Sequence, residues 1–160
     1  MAGRVAGDAR GLGPQLSFSG PVWRILPKAD SAMPAKPASA PEGRFHHSGQ
    51  IAAYASLSAE GATVAIRRYL SDGVERVLVP MWLDAACVVD LRGEAAASIV
   101  WQELQAAGAP SPTWAYSDAA RESGAQAMLY SSRTRPELSH IVIFDPSRMR
   151  IAGQIVPFVN

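Results

Sequence analysis

Apolar residues recur along the chain in short runs that either alternate with polar residues or fill a few consecutive positions, as β-strands do. Turn-forming residues flank most of these runs. Pro80 lies inside one of them, which predicts an edge strand or a bulge because proline lacks a backbone donor. The predicted strands are Val22–Leu26, Ile51–Ser56, Arg76–Trp82, Cys87–Leu91, Gln126–Ser131, His140–Phe144 and Met149–Val156.

Three further segments have helical periodicity. In the first, apolar residues spaced three and four apart, Tyr69 and Leu70 among them, predict one buried face. Helix boundaries follow from capping residues and from glycines just beyond each end. The predicted helices are Glu60–Leu70 after the N-cap Ser58, Glu94–Ala107 before Gly108, and Thr113–Ser123 with Thr113 as N-cap and Gly124 closing it.

About seven strands and three helices without regular alternation predict a single α+β domain, with small mixed or antiparallel sheets and helices to one side. A length of 160 residues suits one domain with its own core. Residues 1–20 are expected to be a flexible tail and 21–160 the folded domain. Pro27–Pro41 holds four prolines and is predicted to be an extended loop, either a pocket lid or a flexible segment.

The overall composition removes several classes of function. A net charge of +1 gives no indication of nucleic acid or an anionic membrane as a bulk partner. No apolar run approaches the length of a membrane span, and the N-terminal residues lack the apolar core of a signal peptide. Cys87 is the one cysteine, so no disulfide forms within the chain, as suits a reducing compartment. A cytoplasmic location is expected.

The segment Gly43–Ser56 holds most of the candidate chemistry, because Arg44, two histidines and Tyr54 lie within a dozen residues. His46 and His47 are adjacent and would point to opposite faces of a strand, so a shared metal ion is not expected. The sequence has no phosphate-binding glycine motif and no Gly-x-Ser-x-Gly elbow. A Ser-His-acid triad depends on geometry and stays open.

Two more cationic groups lie near predicted element ends, Ser131–Arg133 after a strand and Arg67–Arg68 on the first helix. Arginine forks match diphosphates, serine hydroxyls can orient ribose or amide groups, and a tyrosine face can stack on a base. Each feature also has an ordinary structural interpretation: Tyr54 in the core, Arg44 in a surface pair with Glu42, and Arg67–Arg68 on a solvated helix face. By themselves these residues support an anion-binding pocket only weakly.

Five segments, however, follow one another in a familiar order. They are an arginine after a glycine, a tyrosine strand ten residues later, an apolar strand with an aspartate, a strand ending in Ser-Ser-Arg and a last apolar strand. From about Trp23 to Phe144 this order resembles the RES domain, the toxin half of RES–Xre toxin–antitoxin pairs that include ParT- and MbcT-like proteins. The segments are Gly43–Phe45, Tyr54–Ser56, Val88–Leu91, Gly124–Arg133 and His140–Phe144.

The resemblance implies a fold similar to that of the ADP-ribosyltransferases, with NAD as substrate. It implies the toxin of a type II toxin–antitoxin system, acting as an NAD-dependent mono-ADP-ribosyltransferase on a cellular protein such as a central metabolic enzyme. The alternatives are an NAD glycohydrolase or phosphorylase and a catalytically degenerate binding module. The implied partner is a cognate antitoxin of the Xre, MbcA or ParS kind in a hetero-oligomer, without direct nucleic-acid or membrane contact.

The resemblance also implies roles for residues. Arg44 would bind the diphosphate or ribose of NAD, Tyr54 would stack on nicotinamide, and Ser132 would hold the nicotinamide end. These three are the expected catalytic residues, and no metal ion is expected. The expected NAD-binding residues are Arg44, Phe45, His46, Tyr54, Ser132 and Arg133.

One departure concerns the glutamate that the family carries on the helix after the tyrosine. Here Thr63–Arg68 contains no acid. That acid would stabilise positive charge on the ribose as nicotinamide leaves. Either Glu60 or Asp84 takes its place, or the chain depends on substrate positioning, or the target supplies the group. The last two options favour transfer to a protein over rapid NAD destruction.

Overall fold

The computed structural model describes residues 13–98 and 110–159. Within these ranges the chain forms seven β-strands and two α-helices, joined by turns and short 3-10 helices. The helices are α1 (Ala59–Ile66), which continues into a 3-10 helix over Arg67–Asp72, and α2 (Thr113–Glu122). The strands are β1 (Gln15–Pro27), β2 (Ala53–Ser56), β3 (Arg76–Asp90), β4 (Ala127–Ser131), β5 (Ser139–Ile143), β6 (Met149–Ile151) and β7 (Val156–Pro157).

The strands belong to one sheet that closes on itself. Its order is β1-β2-β5-β4-β3-β6, and an additional pairing of β1 with β3 joins the two sides. The β1–β3 ladder runs from Gln15↔Val89 to Pro27↔Arg76, with one irregularity between Leu16 and Phe18. Only β3 and β4 pair in parallel, and the other pairs between described strands are antiparallel. The five strands β1, β2, β5, β4 and β3 therefore form a closed, barrel-like ring.

Alternation along the strands separates two cores. On one face, buried residues from all five ring strands form the main core, for example Ala55 of β2, Leu83 of β3 and Ile141 of β5. The opposite face of β4 and β5 contributes Met128, Tyr130 and Val142 to a second cluster, which α2 covers. The polar and aromatic residues of the candidate site lie on this second face.

The prediction of a single α+β domain is confirmed, but the strands form one closed sheet instead of small separate ones. The predicted strands Arg76–Trp82 and Cys87–Leu91 are one continuous strand, β3, which is central. Pro80 is tolerated there because its nitrogen, which has no hydrogen to donate, faces the gap between β6 and β7. Its carbonyl points to the same side of the strand and accepts from the Ala152 N–H. The last predicted strand is divided into β6 and β7 by that gap.

The two helices of the described residues begin close to their predicted starts, but α1 ends earlier than predicted. Ser58 is the N-cap of α1, and its side chain accepts from the Gly61 N–H, as expected. The helix becomes a 3-10 helix from Arg67 onward instead of continuing to Leu70. Thr113 is the first residue of α2 and not its N-cap, because its hydroxyl donates to a loop carbonyl instead. Gly124 follows α2 with a φ of 87°, as a closing glycine should.

The N-terminal boundary also differs from the prediction. Residues Gln15–Gly20, assigned to the tail, belong to β1, because their backbone pairs with the far end of β3. Residues 1–12 lie outside the described residues, as does most of the predicted helix Glu94–Ala107, of which Ala95–Ser98 form a 3-10 helix. No helix in the described ranges is long and apolar enough to cross a membrane.

The predicted loop Pro27–Pro41 is fixed to the sheet by Arg24. This side chain is 5% exposed, and its Nε donates to the Tyr54 carbonyl at 3.0 Å. Its Nη1 donates to the carbonyls of Pro34 and Lys36 at 2.7 and 2.9 Å. Burial lowers the pKa of Arg24 to about 10, with Asp30 acting against the shift, so the guanidinium stays charged at neutral pH. A buried cation with three carbonyl acceptors ties the loop to β2.

We expect Arg24→Met to lower the free energy of unfolding by about 3 kcal/mol, because it leaves three carbonyls near the core without their donor. Urea unfolding measures this loss, and limited proteolysis within Pro27–Pro41 should become faster. The control is Lys28→Ala, which removes an exposed ion pair to Glu75 and should change stability by less than about 1 kcal/mol. An Arg24→Met protein with the urea midpoint of the parent would contradict the assignment.

Candidate functional site

A cavity of about 680 Å³ lies where the ends of β2, β4 and β5 meet α1, the following 3-10 helix and the segment before Arg44. This volume is in the range of small-molecule sites. The loop Pro27–Pro41 supplies part of its wall through Ala38 and Ala40. The lining holds five arginines and several aromatic and hydroxyl side chains, so the cavity is suited to an anion attached to a ring.

The floor of the cavity is a row of residues that the sheet register places side by side. Ser56 of β2 is paired with His140 of β5, and His140 is paired with Tyr130 of β4. Ser56 Oγ and His140 Nδ1 are 2.7 Å apart, and the rings of His140 and Tyr130 are 5.4 Å apart between centroids. Burial, together with the nearby Arg44, lowers the pKa of His140 to about 4. His140 is therefore neutral at physiological pH.

Tyr54 lies in the adjacent row of the sheet and lines the cavity. Its hydroxyl accepts the Phe45 N–H at 3.0 Å and is 2.8 Å from His46 Nδ1. Burial raises the pKa of this hydroxyl, so it stays protonated. Gly43 approaches the pair so closely that a Cβ there would collide with the His46 ring and with the Tyr54 hydroxyl. The glycine lets the loop close over the tyrosine.

Arg44 is half-buried beside the floor, with its guanidinium 5.7 Å from the centroid of Tyr130. Among the described residues, the guanidinium makes no hydrogen bond and no ion pair. A partly desolvated arginine whose donors point at no protein acceptor is suited to bind an anionic ligand.

Helix α2 holds the backbone around Arg44 from behind. Thr113 Oγ1 donates to the Arg44 carbonyl, and Trp114 Nε1 donates to the Gly43 carbonyl at 2.8 Å. Arg121 extends the contact, donating to the carbonyls of Phe45 and Ile51 at 2.9 Å each. The helix thus fixes the backbone and leaves the Arg44 side chain free to face the cavity.

His46 lines the cavity, but His47 does not. The Nε2 of His47 is 2.9 Å from Asp118 of α2, its ring stacks on Trp114 at 4.6 Å, and its Nδ1 is 2.9 Å from Ser48 Oγ. Ser48, His47 and Asp118 therefore form a hydrogen-bonded Ser-His-acid series, but none of the three lines the cavity. The contacts serve to attach the loop to α2.

Ser132 and Arg133 both line the cavity. Ser132 is buried, and its Oγ accepts the Arg135 N–H at 3.3 Å. Arg133 is exposed at the rim, as are Arg67 and Arg68. None of these three guanidinium groups has a hydrogen-bond or ion-pair partner in the described part of the chain. The cationic groups that are far apart in sequence therefore meet at one opening.

Phe45 differs from its expected role. Its side chain is fully buried and packs on Tyr130 with ring centroids 4.7 Å apart, so it does not line the cavity. Phe45 contributes through its backbone, which donates to Tyr54 and accepts from Arg121. The aromatic side chain supports the floor from beneath.

The two acids considered as replacements for the family glutamate lie away from the cavity lining. Glu60 is exposed and pairs with Arg135 at 3.2 Å. Asp84 points from β3 to Arg150 at 2.6 Å and also accepts from Ser19. Among the described residues that line the cavity, the acid is Glu42, which is half-buried.

Sequence reasoning missed Tyr130, His140 and Glu42 as site residues. Tyr130 and His140 lie inside two of the recognised segments, but their shared row depends on the β4–β5 register, which the sequence does not display. The sequence indicates Glu42 only as a surface partner of Arg44. The one available signal was its position immediately before the Gly43–Arg44 pair.

Comparison with known proteins gives one family and one fold. The sequence model of the RES domain matches residues 21–159. Among solved structures, one chain of the M. tuberculosis MbcT–MbcA toxin–antitoxin complex matches with a TM-score of 0.67 and 18% sequence identity, covering 94% of this chain and 88% of that chain. At this identity the likeness shows a shared fold alone. A search of curated proteins finds none that matches the chain.

The neutral, buried His140 predicts how stability changes with pH. Below about pH 6.5 the unfolded chain takes up a proton at this position, while the folded protein does so only near pH 4, so stability falls as pH decreases through that window. We expect the histidine to account for about 2 kcal/mol of the loss between pH 7.5 and pH 5. Urea unfolding of His140→Gln should show a correspondingly smaller loss, and an unchanged pH dependence would contradict the prediction.

Proposed function

The chain belongs to the RES domain family, and we propose that it is the toxin of a type II toxin–antitoxin pair that uses NAD to ADP-ribosylate a cellular protein. The observation that carries the proposal is the Arg44 guanidinium, half-buried in a cavity of about 680 Å³ and without an ion-pair partner among the described residues. An unpaired arginine beside an aromatic floor suits a diphosphate attached to nucleoside rings.

Two further site residues fit the nicotinamide end of NAD. Tyr54 offers a ring along the cavity wall for nicotinamide, and its hydroxyl is held by the Phe45 N–H, which fixes the orientation of the ring. Ser132 offers a buried hydroxyl for the amide of the same base. Arg44 binds the diphosphate or the adjoining ribose. These roles are those expected from the family resemblance.

In the proposed reaction the bond between ribose C1′ and the nicotinamide nitrogen breaks, its electron pair leaves with nicotinamide, and the acceptor group bonds to C1′ and releases a proton. The protein must stabilise positive charge on the ribose. Glu42 supports this role because it is the acid among the described residues that line the cavity, whereas Glu60 and Asp84 lie outside that lining. We assign the charge-stabilising role to Glu42.

An antitoxin is the proposed partner. The MbcT–MbcA structure is a toxin–antitoxin complex, and this chain has the same fold. Arg67, Arg68 and Arg133 surround the cavity opening without ion-pair partners in the described ranges, so an acidic segment could dock there by charge complementarity. Such a segment would also cover the opening and block NAD.

The function is tested by incubating the purified protein with NAD radiolabelled in its adenylate phosphate, in the presence of cell lysate. We expect label on a protein band and loss of at least about 100-fold of the labelling rate in Arg44→Gln, because the cation that holds the diphosphate is removed. The matched control is Arg148→Gln, an arginine paired with Asp145 away from the cavity, which should retain the rate.

Other outcomes contradict the transferase proposal in distinct ways. Label recovered as free ADP-ribose or its phosphate ester, with none on protein, identifies a glycohydrolase or a phosphorylase on the same site. Intact NAD with no labelled protein identifies a degenerate binding module. Equal activity in Arg44→Gln and the parent removes the cavity as the site.

The role of Glu42 has a separate test. We expect Glu42→Gln to lower kcat for nicotinamide release by about 100- to 1000-fold while the KM for NAD changes by less than about threefold, since the charge develops only in the transition state. Glu60→Gln and Asp84→Asn are the matched controls and should keep the parental kcat. A Glu42→Gln protein with full kcat would reject this assignment and leave the proposed function standing.

A further inference from the structure

The 3-10 helix after α1 gives Tyr69 an unexpected position. Helical spacing predicted that Tyr69 and Leu70 would lie on a buried face, which requires α1 to continue through them. Instead α1 ends at Ile66, and the tighter turn over Arg67–Asp72 changes the directions of the side chains that follow. Tyr69 is 44% exposed.

Tyr69 also differs from the other exposed large apolar side chains. The structure leaves seven of them exposed within the described residues, and Tyr69 is the one that lines the cavity. An aromatic residue that departs from its predicted core position and lines a ligand cavity is a candidate for ligand binding, because departures from sequence expectation tend to fall at functional sites. A partly exposed aromatic side chain that lines a cavity suits a ligand whose chemistry includes a planar ring.

The neighbours of Tyr69 indicate that chemistry. Arg67 and Arg68 precede it on the same 3-10 helix, line the same cavity, and have no hydrogen-bond or ion-pair partner among the residues described. A tyrosine face beside two arginines is a combination that binds a nucleobase by stacking and its phosphate by charge. The same cavity already provides Tyr54 and Ser132 for a first base.

We infer that Tyr69, flanked by Arg67 and Arg68, is the subsite for the adenine end of the dinucleotide. The inference deepens the proposed function and depends on it for the identity of the ligand. Arg44, which lies beside the floor, then binds the diphosphate that joins the two nucleosides. The subsite selects a dinucleotide over a nicotinamide mononucleotide, because the mononucleotide has no second base to place on Tyr69.

The test compares ligands that contain or lack adenine, by calorimetric titration of the full chain. The probes are carba-NAD, whose glycosidic bond does not cleave, ADP, and nicotinamide mononucleotide. We expect Tyr69→Ala to weaken carba-NAD and ADP by about tenfold or more, as loss of one stacked base does, and to change nicotinamide mononucleotide by less than about twofold. Tyr69→Phe, which keeps the ring, should bind all three like the parent.

Val74→Ala is the matched control, since Val74 is 45% exposed but does not line the cavity. A Tyr69→Ala protein that binds carba-NAD like the parent, or that loses all three ligands equally, would overturn the subsite and leave the proposed function intact. A parent protein that binds ADP through Tyr69 but fails to bind carba-NAD would reject NAD and keep the subsite. A parent that binds none of the probes would reject both.

Discussion

The antiparallel register of β2, β5 and β4 is the constraint on which the candidate site depends. It places Ser56, His140 and Tyr130 in one row and brings Tyr54 next to that row on the same face. Because side chains alternate along a strand, a slip of one residue would turn these polar groups into the apolar core on the other face. The cost of burying a histidine and hydroxyl groups there without partners keeps the register unique.

The second constraint is the set of hydrogen bonds by which α2 holds the loop that carries Arg44. Trp114, Thr113 and Arg121 all bond to backbone carbonyls of that loop, so its path is held without using the side chains that face the cavity. A partly buried arginine such as Arg44, which has no carboxylate partner among the described residues, is costly to the free protein. The helix makes this arrangement possible because it fixes the backbone independently, and a bound anion would recover part of the cost.

The sequence predicted the elements better than their connections. The positions of β2, β4 and β5 and the capping of α1 by Ser58 followed from local pattern and local hydrogen bonding. The merging of two predicted strands into β3 did not follow, because Pro80 is accepted only where its nitrogen faces a gap that β6 and β7 create. In the site, Arg44, Tyr54 and Ser132 were found through motif order, whereas Tyr130 and His140 required the pairing of β4 with β5.

The sequence alone determined the α+β class and the cationic groups around Arg44 and Arg133, since these depend on residue types and on short-range periodicity. It also carried the RES domain resemblance, which rests on the order of five motif segments. Tertiary structure decided which acid lies at the cavity. Glu60 is close to the expected position of the acid in sequence, but it pairs with Arg135. Glu42 lines the cavity because α2 holds the adjacent loop residue, Gly43, through a hydrogen bond from Trp114. Side-chain proximity across a closed sheet arises from pairing between distant segments, and no local pattern in the chain records it.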